Sequence, residues 1–266
     1  MSGVAIRPTR GRLAWIHVAP IKSLRIQTRD SVVLGANGVG EDRRFAIVDE
    51  NGRWLNGKRV PSFVQVRPEF DLEVGTLTLH MPEGRRVAGR IELGERVAVR
   101  IYGREAEAHE VCGPFSAALG SIAGRPVRLV RFDEAGDGFD RAERGGAATM
   151  LSAASLDAMA EAVGDGPIDP RRFRMLFGIA GVPAHAEDAW IARRVKVGAA
   201  VVMPMGNVGR CAVTTLDPDS GCSDVDTLGA LARYRAGIPA TEALPFGVWA
   251  RVIEPGRVAI GDEVVV

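Results

Sequence analysis

A single cysteine set between an arginine and a short β-branched run, in Gly209-Arg210-Cys211-Ala212-Val213-Thr214-Thr215-Leu216-Asp217-Pro218, is the part of this chain best equipped for chemistry. A thiol beside a guanidinium is biased toward thiolate, the form that ligates soft metals and attacks sulfur. The same residue also suits a packing role at a strand start, because free cysteine behaves as a small hydrophobe. Asp217-Pro218-Asp219-Ser220-Gly221 reads first as the turn closing that strand, with Asp217 placed to orient groups beside Cys211. Cations complete the inventory. Lys22 and Ser23 offer an ammonium and a hydroxyl at a strand end, and Arg43, Arg172 and Arg174 offer forked donors suited to phosphate. Taken singly, each such charge is ordinarily a solvated surface group.

Several other chemistries lack their residues. His17, His80, His109 and His185 are scattered, with no H-x-x-x-H or H-E-x-x-H, which argues against a zinc hydrolase. There is no Walker A sequence and no G-x-G-x-x-G after a strand, so a Rossmann site for nicotinamide dinucleotide or flavin is not expected, and any redox chemistry must draw electrons from elsewhere. No serine sits in G-x-S-x-G. Cys112, Cys211 and Cys222 are widely spaced and form no C-x-x-C pair, which argues against a disulfide framework or an iron–sulfur cluster and fits a reducing cytoplasm. A net charge of +1 supplies no global field for nucleic acid. The first twenty residues lack the apolar core of a secretory signal and no run approaches membrane-spanning length, so a cytoplasmic protein without membrane association is expected.

The elements that must position these residues are mostly strands. Leu13–Val18, Val32–Leu34, Phe45–Val48, Leu77–His80 and Val97–Tyr102 are short β-branched or alternating runs bounded by turn residues, and Asp49-Glu50-Asn51-Gly52 is a hairpin-turn signal. Strands are expected again at Phe177–Ala180, Val195–Val197, Ala200–Met203, Cys211–Thr215 and Val264–Val266. Helical patterning is confined to Pro114–Leu119, to Ser152–Val163 with Ser152 as N-cap and Gly164 as stop, and to Thr227–Tyr234. Between the first two helices, Asp133–Gly146 is polar, charged and glycine-rich, the composition of a mobile loop or link. With 266 residues, 46% of them hydrophobic, the chain is expected to form two mainly β domains, 11–135 and 136–266, divided inside that loop.

Seven motifs in order carry a family resemblance: Pro20-Ile21-Lys22-Ser23-Leu24, Glu41–Asp49, Arg171-Arg172-Phe173-Arg174, Glu187-Asp188-Ala189-Trp190, Val197-Gly198, the cysteine segment, and Glu254–Val264. Together they resemble a MOSC domain, the C-terminal module of molybdenum cofactor sulfurases, preceded by the β-barrel domain found in the amidoxime-reducing branch. The resemblance implies a β-barrel-like N-terminal domain and a C-terminal MOSC β-barrel with peripheral helices. It implies molybdenum cofactor (molybdopterin) in the shared cleft, with Cys211 as metal ligand and catalytic residue, and Lys22, Arg43 and Arg174 on the pterin or phosphate. Ser23, Arg172 and Arg210 join that set. The implied activity is reduction of N-hydroxylated small molecules with electrons from a separate redox protein. Two departures stand out. Arg174-Met175-Leu176 replaces the family's Arg-Pro-Asn and loses an amide, which leaves Asn207 as the candidate to supply one. The approach to Cys211 is also altered, which keeps two alternatives in view: a sulfur carrier using a Cys211 persulfide, or a MOSC scaffold that holds another anionic ligand without molybdenum. Glu187, Asp188 and Trp190 read as a turn and packing anchor.

Overall fold

The structure, a computed structural model, describes residues 9–266. Three α-helices, α1 (Phe115–Ala123), α2 (Ala153–Val163) and α3 (Thr227–Tyr234), flank sheets that hold most of the regular structure among these residues. The fold is mainly β, as the short alternating runs predict.

Seven strands close a barrel. In order around it they are Phe177–Ala180, Ala148–Ser152, Pro245–Glu254, Ala200–Gly209, Val195–Val197, Glu263–Val265 and Arg10–Val18, the last pairing antiparallel with the first. Ala148–Ser152 and Phe177–Ala180 run parallel and are joined through α2, the crossover that a parallel pair requires. Leu13, Ile16, Met150, Phe177 and Val202 fill the interior at 1% exposure or less, and each such side chain stabilises by about 1.5–3 kcal/mol relative to an exposed one. The closing seam depends on Gly178, where a Cβ would lie 2.0 Å from the Trp15 indole. Sequence order assigns Leu13–Val18 to the N-terminal half, yet this strand completes the barrel of the C-terminal half. Gly256–Ala259 makes the reverse trip and pairs with Ser31–Gly35.

The remaining N-terminal strands build a second body. Phe45–Val48, Arg128–Arg131, Arg104–Val111 and Leu93–Ile101 form one sheet, and Arg67–Asp71, Thr76–His80 and Arg86–Arg90 another. Phe45 meets Phe70 edge to face at 4.9 Å between them, and α1 adds Phe115 and Leu119 to the same core.

Three local expectations are corrected. Cys211–Thr215 is no strand: Cys211 is extended and Ala212–Thr215 forms a 3₁₀ turn. The Thr214 amide and hydroxyl both donate to the Cys211 carbonyl at 3.0 Å, so a local side-chain bond replaces the ladder. Ser152 occupies the N-cap position of α2 without capping it, because its hydroxyl donates to the Pro183 carbonyl at 3.0 Å. The Asp133–Gly146 segment is not a slack link. Phe139 is buried, and Arg104 Nη2 donates to the carbonyls of Asp137 and Phe139, which fixes this strap over the face where the two bodies meet.

Candidate functional site

Between the two bodies lies a cavity of about 440 Å³, within the size of small-molecule sites, about 300–1,000 Å³. Four segments bring the expected residues to it. Lys22 and Ser23 follow the barrel's closing strand, Arg43 precedes Phe45–Val48, Arg172 and Arg174 lie on a 3₁₀ turn (Pro170–Phe173) and its C-cap, and Arg210 and Cys211 follow Ala200–Gly209. Seven cationic side chains and three carboxylates line the space, a surplus of four positive charges.

Backbone conformation sets the site apart. Among the described residues seven non-glycine positions have left-handed φ, and four of them, Ser23 (76°), Arg43 (53°), Tyr102 (54°) and Arg174 (53°), line this cavity. Each costs on the order of 1 kcal/mol or more and persists only where surrounding contacts hold it, which is common at functional sites. Arg43 is held by Asp42 through Nη1, by the Arg174 carbonyl at 2.8 Å from Nη2, and by the Phe139 ring, 4.5 Å from its guanidinium carbon.

The cations differ in how far they are committed. Arg174 donates from Nη1 to the Leu24 carbonyl at 2.8 Å and has no carboxylate partner among the described residues. Burial, reinforced by Arg43 beside it, lowers its pKa to about 10. Lys22 is 4% exposed, and burial pulls its pKa down against the opposing influence of Asp140. Its Nζ donates to the Gly138 carbonyl at 2.7 Å and to Asp140 Oδ1 at 2.6 Å, and sits 4.2 Å from the centre of the Trp54 ring. Arg172 is 7% exposed rather than a solvated surface charge: it grips Asp224 bidentately at 2.7 and 2.6 Å, and its Nε is buried without a partner.

Arg210 adjoins Cys211 in sequence, but its donors point elsewhere. Nη1 donates to the Phe173 carbonyl and Nε to the Phe246 carbonyl, both at 2.9 Å, and Nη2 reaches Met175 Sδ at the same distance. Burial and nearby Arg141 lower its pKa to about 9. Arg210 therefore ties the Phe173–Met175 segment and Phe246 to the segment that carries Cys211. The thiol itself lines the cavity and is partly exposed, whereas Cys112 and Cys222 are exposed and outside it.

Two expected residues do not join the site. Asn207 is 1% exposed; its amide nitrogen donates to Asp188 Oδ1 at 2.7 Å and its oxygen accepts from the Thr241 amide at 3.0 Å, so it supplies no amide to the cavity. Asp217 Oδ1 accepts from the Ser220 amide and hydroxyl at 2.7 and 2.8 Å, which makes it a turn residue. Leu176, in place of the missing asparagine, is buried in the barrel core. Glu187, Asp188 and Trp190 serve the anchor role: Trp190 is 2% exposed and Asp188 bridges Asn207 to Arg235.

Sequence reasoning missed Trp54, Tyr102, Phe139, Asp140 and the Arg141–Glu242 ion pair, all of which line the cavity. Trp54 and Tyr102 meet edge to face at 5.2 Å and form one wall. An aromatic just after the Asp49–Gly52 turn, and a tyrosine in the left-handed position before Gly103, were the available signals.

The arrangement fits an anion-bearing, heterocyclic ligand. A surplus of cations, with Arg174 and Arg210 lacking a carboxylate partner among the described residues, and an orphaned guanidinium nitrogen favour a phosphate or carbonyl oxygen, while the aromatic walls favour a flat ring. A thiol at the same cavity adds a soft ligand.

The MOSC domain family matches residues 141–265, and the MOSC N-terminal beta barrel domain matches residues 10–113. The chain is 26% identical over 285 residues to mitochondrial amidoxime-reducing component 1 of Xenopus laevis, covering 96% of this chain and 81% of that protein. To the Homo sapiens protein of the same name it is 25% identical, covering 96% and 82%. It is 27% identical over 252 residues to molybdenum cofactor sulfurase of Oryza sativa subsp. japonica, covering 83% of this chain and spanning only 30% of that relative's length. Among solved structures, the YUAD protein from Bacillus subtilis aligns over 97% of this chain and 96% of its own with a TM-score of 0.46 and 13% identity. No helix among the described residues is long and apolar enough to cross a membrane.

Proposed function

We propose that this chain, which belongs to the MOSC family, is a molybdenum-cofactor-dependent oxidoreductase that reduces N-hydroxylated or related N–O substrates with electrons from a separate redox protein. The observation that carries this reading is the meeting of Lys22, Arg43 and Arg174 with the Cys211 thiol on one cavity. Similarity to the amidoxime-reducing proteins over 96% of the chain supports the same reading. When bound, the cofactor would supply a soft two-electron metal centre.

The chain's own residues have separable tasks in this reading. Cys211 offers a thiolate as metal ligand. Arg174, with Arg43 and Lys22, neutralises the anionic end of the cofactor, and each is held by contacts made before the ligand arrives, which lowers the entropy lost on binding. Trp54 and Phe139 shield the ring and exclude water, which strengthens the charge interactions inside. Arg210, bonded to main-chain carbonyls on two sides, fixes where the thiol stands.

A second reading, a sulfur carrier that holds a persulfide on Cys211, draws on the similarity to the rice sulfurase and on Leu176, whose apolar side chain lies in the barrel core and leaves the cavity short of one amide. The two are separated by molybdenum and pterin analysis of purified wild-type and Cys211→Ser protein, with N-hydroxylated substrate reduction assayed alongside. The oxidoreductase reading expects molybdenum in the wild type, and loss of metal and activity in the variant without loss of fold. Molybdenum-free protein bearing a persulfide by intact mass would move the assignment to sulfur transfer.

A further inference from the structure

Lys22 has three ammonium protons, and the structure assigns each a partner: the Gly138 carbonyl, Asp140 Oδ1 and the face of Trp54. An anion cannot reach that ammonium without displacing one of them. The two oxygen partners belong to one strap, Gly136–Gly146, five residues of which line the cavity. Asp140 is the partner that resembles a phosphate oxygen in charge, and its side chain is 38% exposed, so it can leave toward solvent. Gly138 cannot move as freely. A Cβ there would lie 1.9 Å from the Arg43 carbonyl, so the strap is seated directly on the backbone of a second cation of the site. Phe139 lies against the Arg43 guanidinium, and Arg104 holds the carbonyls on either side of Gly138.

We propose that Asp140 is a built-in counter-ion that holds Lys22 while the anion subsite is free, and that the phosphate group of an incoming ligand exchanges with it, loosening the strap at Asp140 while Gly138 and Phe139 stay seated against Arg43. The proposal rests on the anionic-ligand reading of this cavity but not on the identity of the metal. Its physical basis is competition for one charge. A buried ammonium without an anion is costly, and Asp140 removes that cost in the ligand-free protein. The same contact must then be given up on binding, so Asp140 weakens the ligand's affinity and ties strap position to occupancy. Arg174, which has no carboxylate of its own, is the cation an arriving phosphate can engage before the exchange, and it is 2.8 Å from Arg43 through its carbonyl.

The test uses the full-length chain, inorganic phosphate as probe and chloride at equal ionic strength as reference. Hydrogen–deuterium exchange of the peptide spanning 133–147 reports the strap, and isothermal titration reports phosphate affinity. In the wild type, saturating phosphate should raise exchange in the strap several-fold. Asp140→Asn should show that raised exchange without phosphate, gain little more on adding it, and bind phosphate about tenfold more tightly, the scale of one charge-assisted hydrogen bond no longer in competition. Asp140→Ser should behave alike, which guards against an asparagine that merely misfolds the strap, and unchanged melting of the barrel shows that the fold persists. Strap exchange equal to wild type in both variants, or phosphate affinity unchanged or weaker, overturns the proposal; so does an absence of phosphate binding in all three proteins. Molybdenum content is measured separately. Phosphate exchange without any molybdenum would count against the oxidoreductase reading and leave the counter-ion in place, whereas molybdenum-loaded protein whose variants behave as wild type would do the reverse.

Discussion

Arg43 donates from Nη2 to the main-chain carbonyl of Arg174 across 2.8 Å, joining two left-handed residues that lie 131 positions apart. Each is a candidate anion donor, and the Arg43 side chain props the strained backbone of Arg174. Arg43 is thus both a cavity-lining charge and part of the clamp between the two bodies.

This double duty predicts that Arg43→Ala costs more than a lost surface charge. The variant should be destabilised by about 1.5–3 kcal/mol, the scale of charged hydrogen bonds, and should lose pterin-cofactor retention as well. Urea denaturation and cofactor analysis of the same preparation check both. Lys22→Ala and Arg174→Ala should show the retention defect too. Full stability with unchanged cofactor in Arg43→Ala would mean that the 2.8 Å contact is incidental.

Glu187 predicts a pH dependence. Burial raises its pKa to about 7, although the Glu187 and Ser152 amides pull it partly back. Because the folded pKa lies above the ordinary value of 4.5, its contribution is fully present below pH 4.5 and is lost as pH rises through 7. The unfolded chain ionises first and draws the equilibrium toward itself. The shift corresponds to roughly 3 kcal/mol at most. Glu187→Gln, which cannot ionise, should therefore be more stable relative to wild type at pH 8 than at pH 4.5, as read from urea midpoints at a series of pH values. A wild-type-to-variant difference that stays flat across that range would show Glu187 charged in the folded protein.

The barrel seam offers a packing test. Gly178→Ala places a methyl where the Trp15 indole already lies, 2.0 Å away. Either the indole or the strand Phe177–Ala180 must shift, which should destabilise the protein by about 1–3 kcal/mol, as overpacked cores do. Trp15→Ala in the same chain should recover part of the loss, since it vacates the space; a double-mutant cycle measures the coupling. Independent, additive effects would place the indole elsewhere.

The electron source gives a biochemical prediction. Without a recognisable nicotinamide, flavin or iron–sulfur motif, the purified protein should not reduce an N-hydroxylated substrate with NADH alone, and should do so with an artificial reductant or a reconstituted donor chain. Substrate loss is followed under each condition with protein of known molybdenum content. Turnover on NADH alone would reveal a second cofactor, and inactivity of molybdenum-loaded protein with a strong donor would argue against N–O reduction.

Sequence by itself was enough for whatever is encoded in near neighbours. The strands Phe45–Val48, Phe177–Ala180 and Val195–Val197 and the helix Thr227–Tyr234 follow from β-branched runs and an apolar stripe, and their bounds match those expected. The motif residues Lys22, Ser23, Arg43, Arg172, Arg174, Arg210 and Cys211 were legible as a set, and all line one cavity. Tertiary structure decided the rest, because a cavity is assembled from contacts that have no period. Lys22 meets Asp140 across 118 residues, and nothing near either one marks the other. Asn207 and Asp217 carry the right groups for a site, but the buried Asn207 amide is satisfied by Asp188 and Thr241, distant in sequence, and Asp217, before Pro218, closes a turn onto Ser220. The first strand, Arg10–Val18, shows the limit most plainly. Its alternation reveals that it is a strand with one face buried, but which sheet receives that face depends on the shape of a barrel whose other six strands begin 130 residues later at Ala148 or beyond.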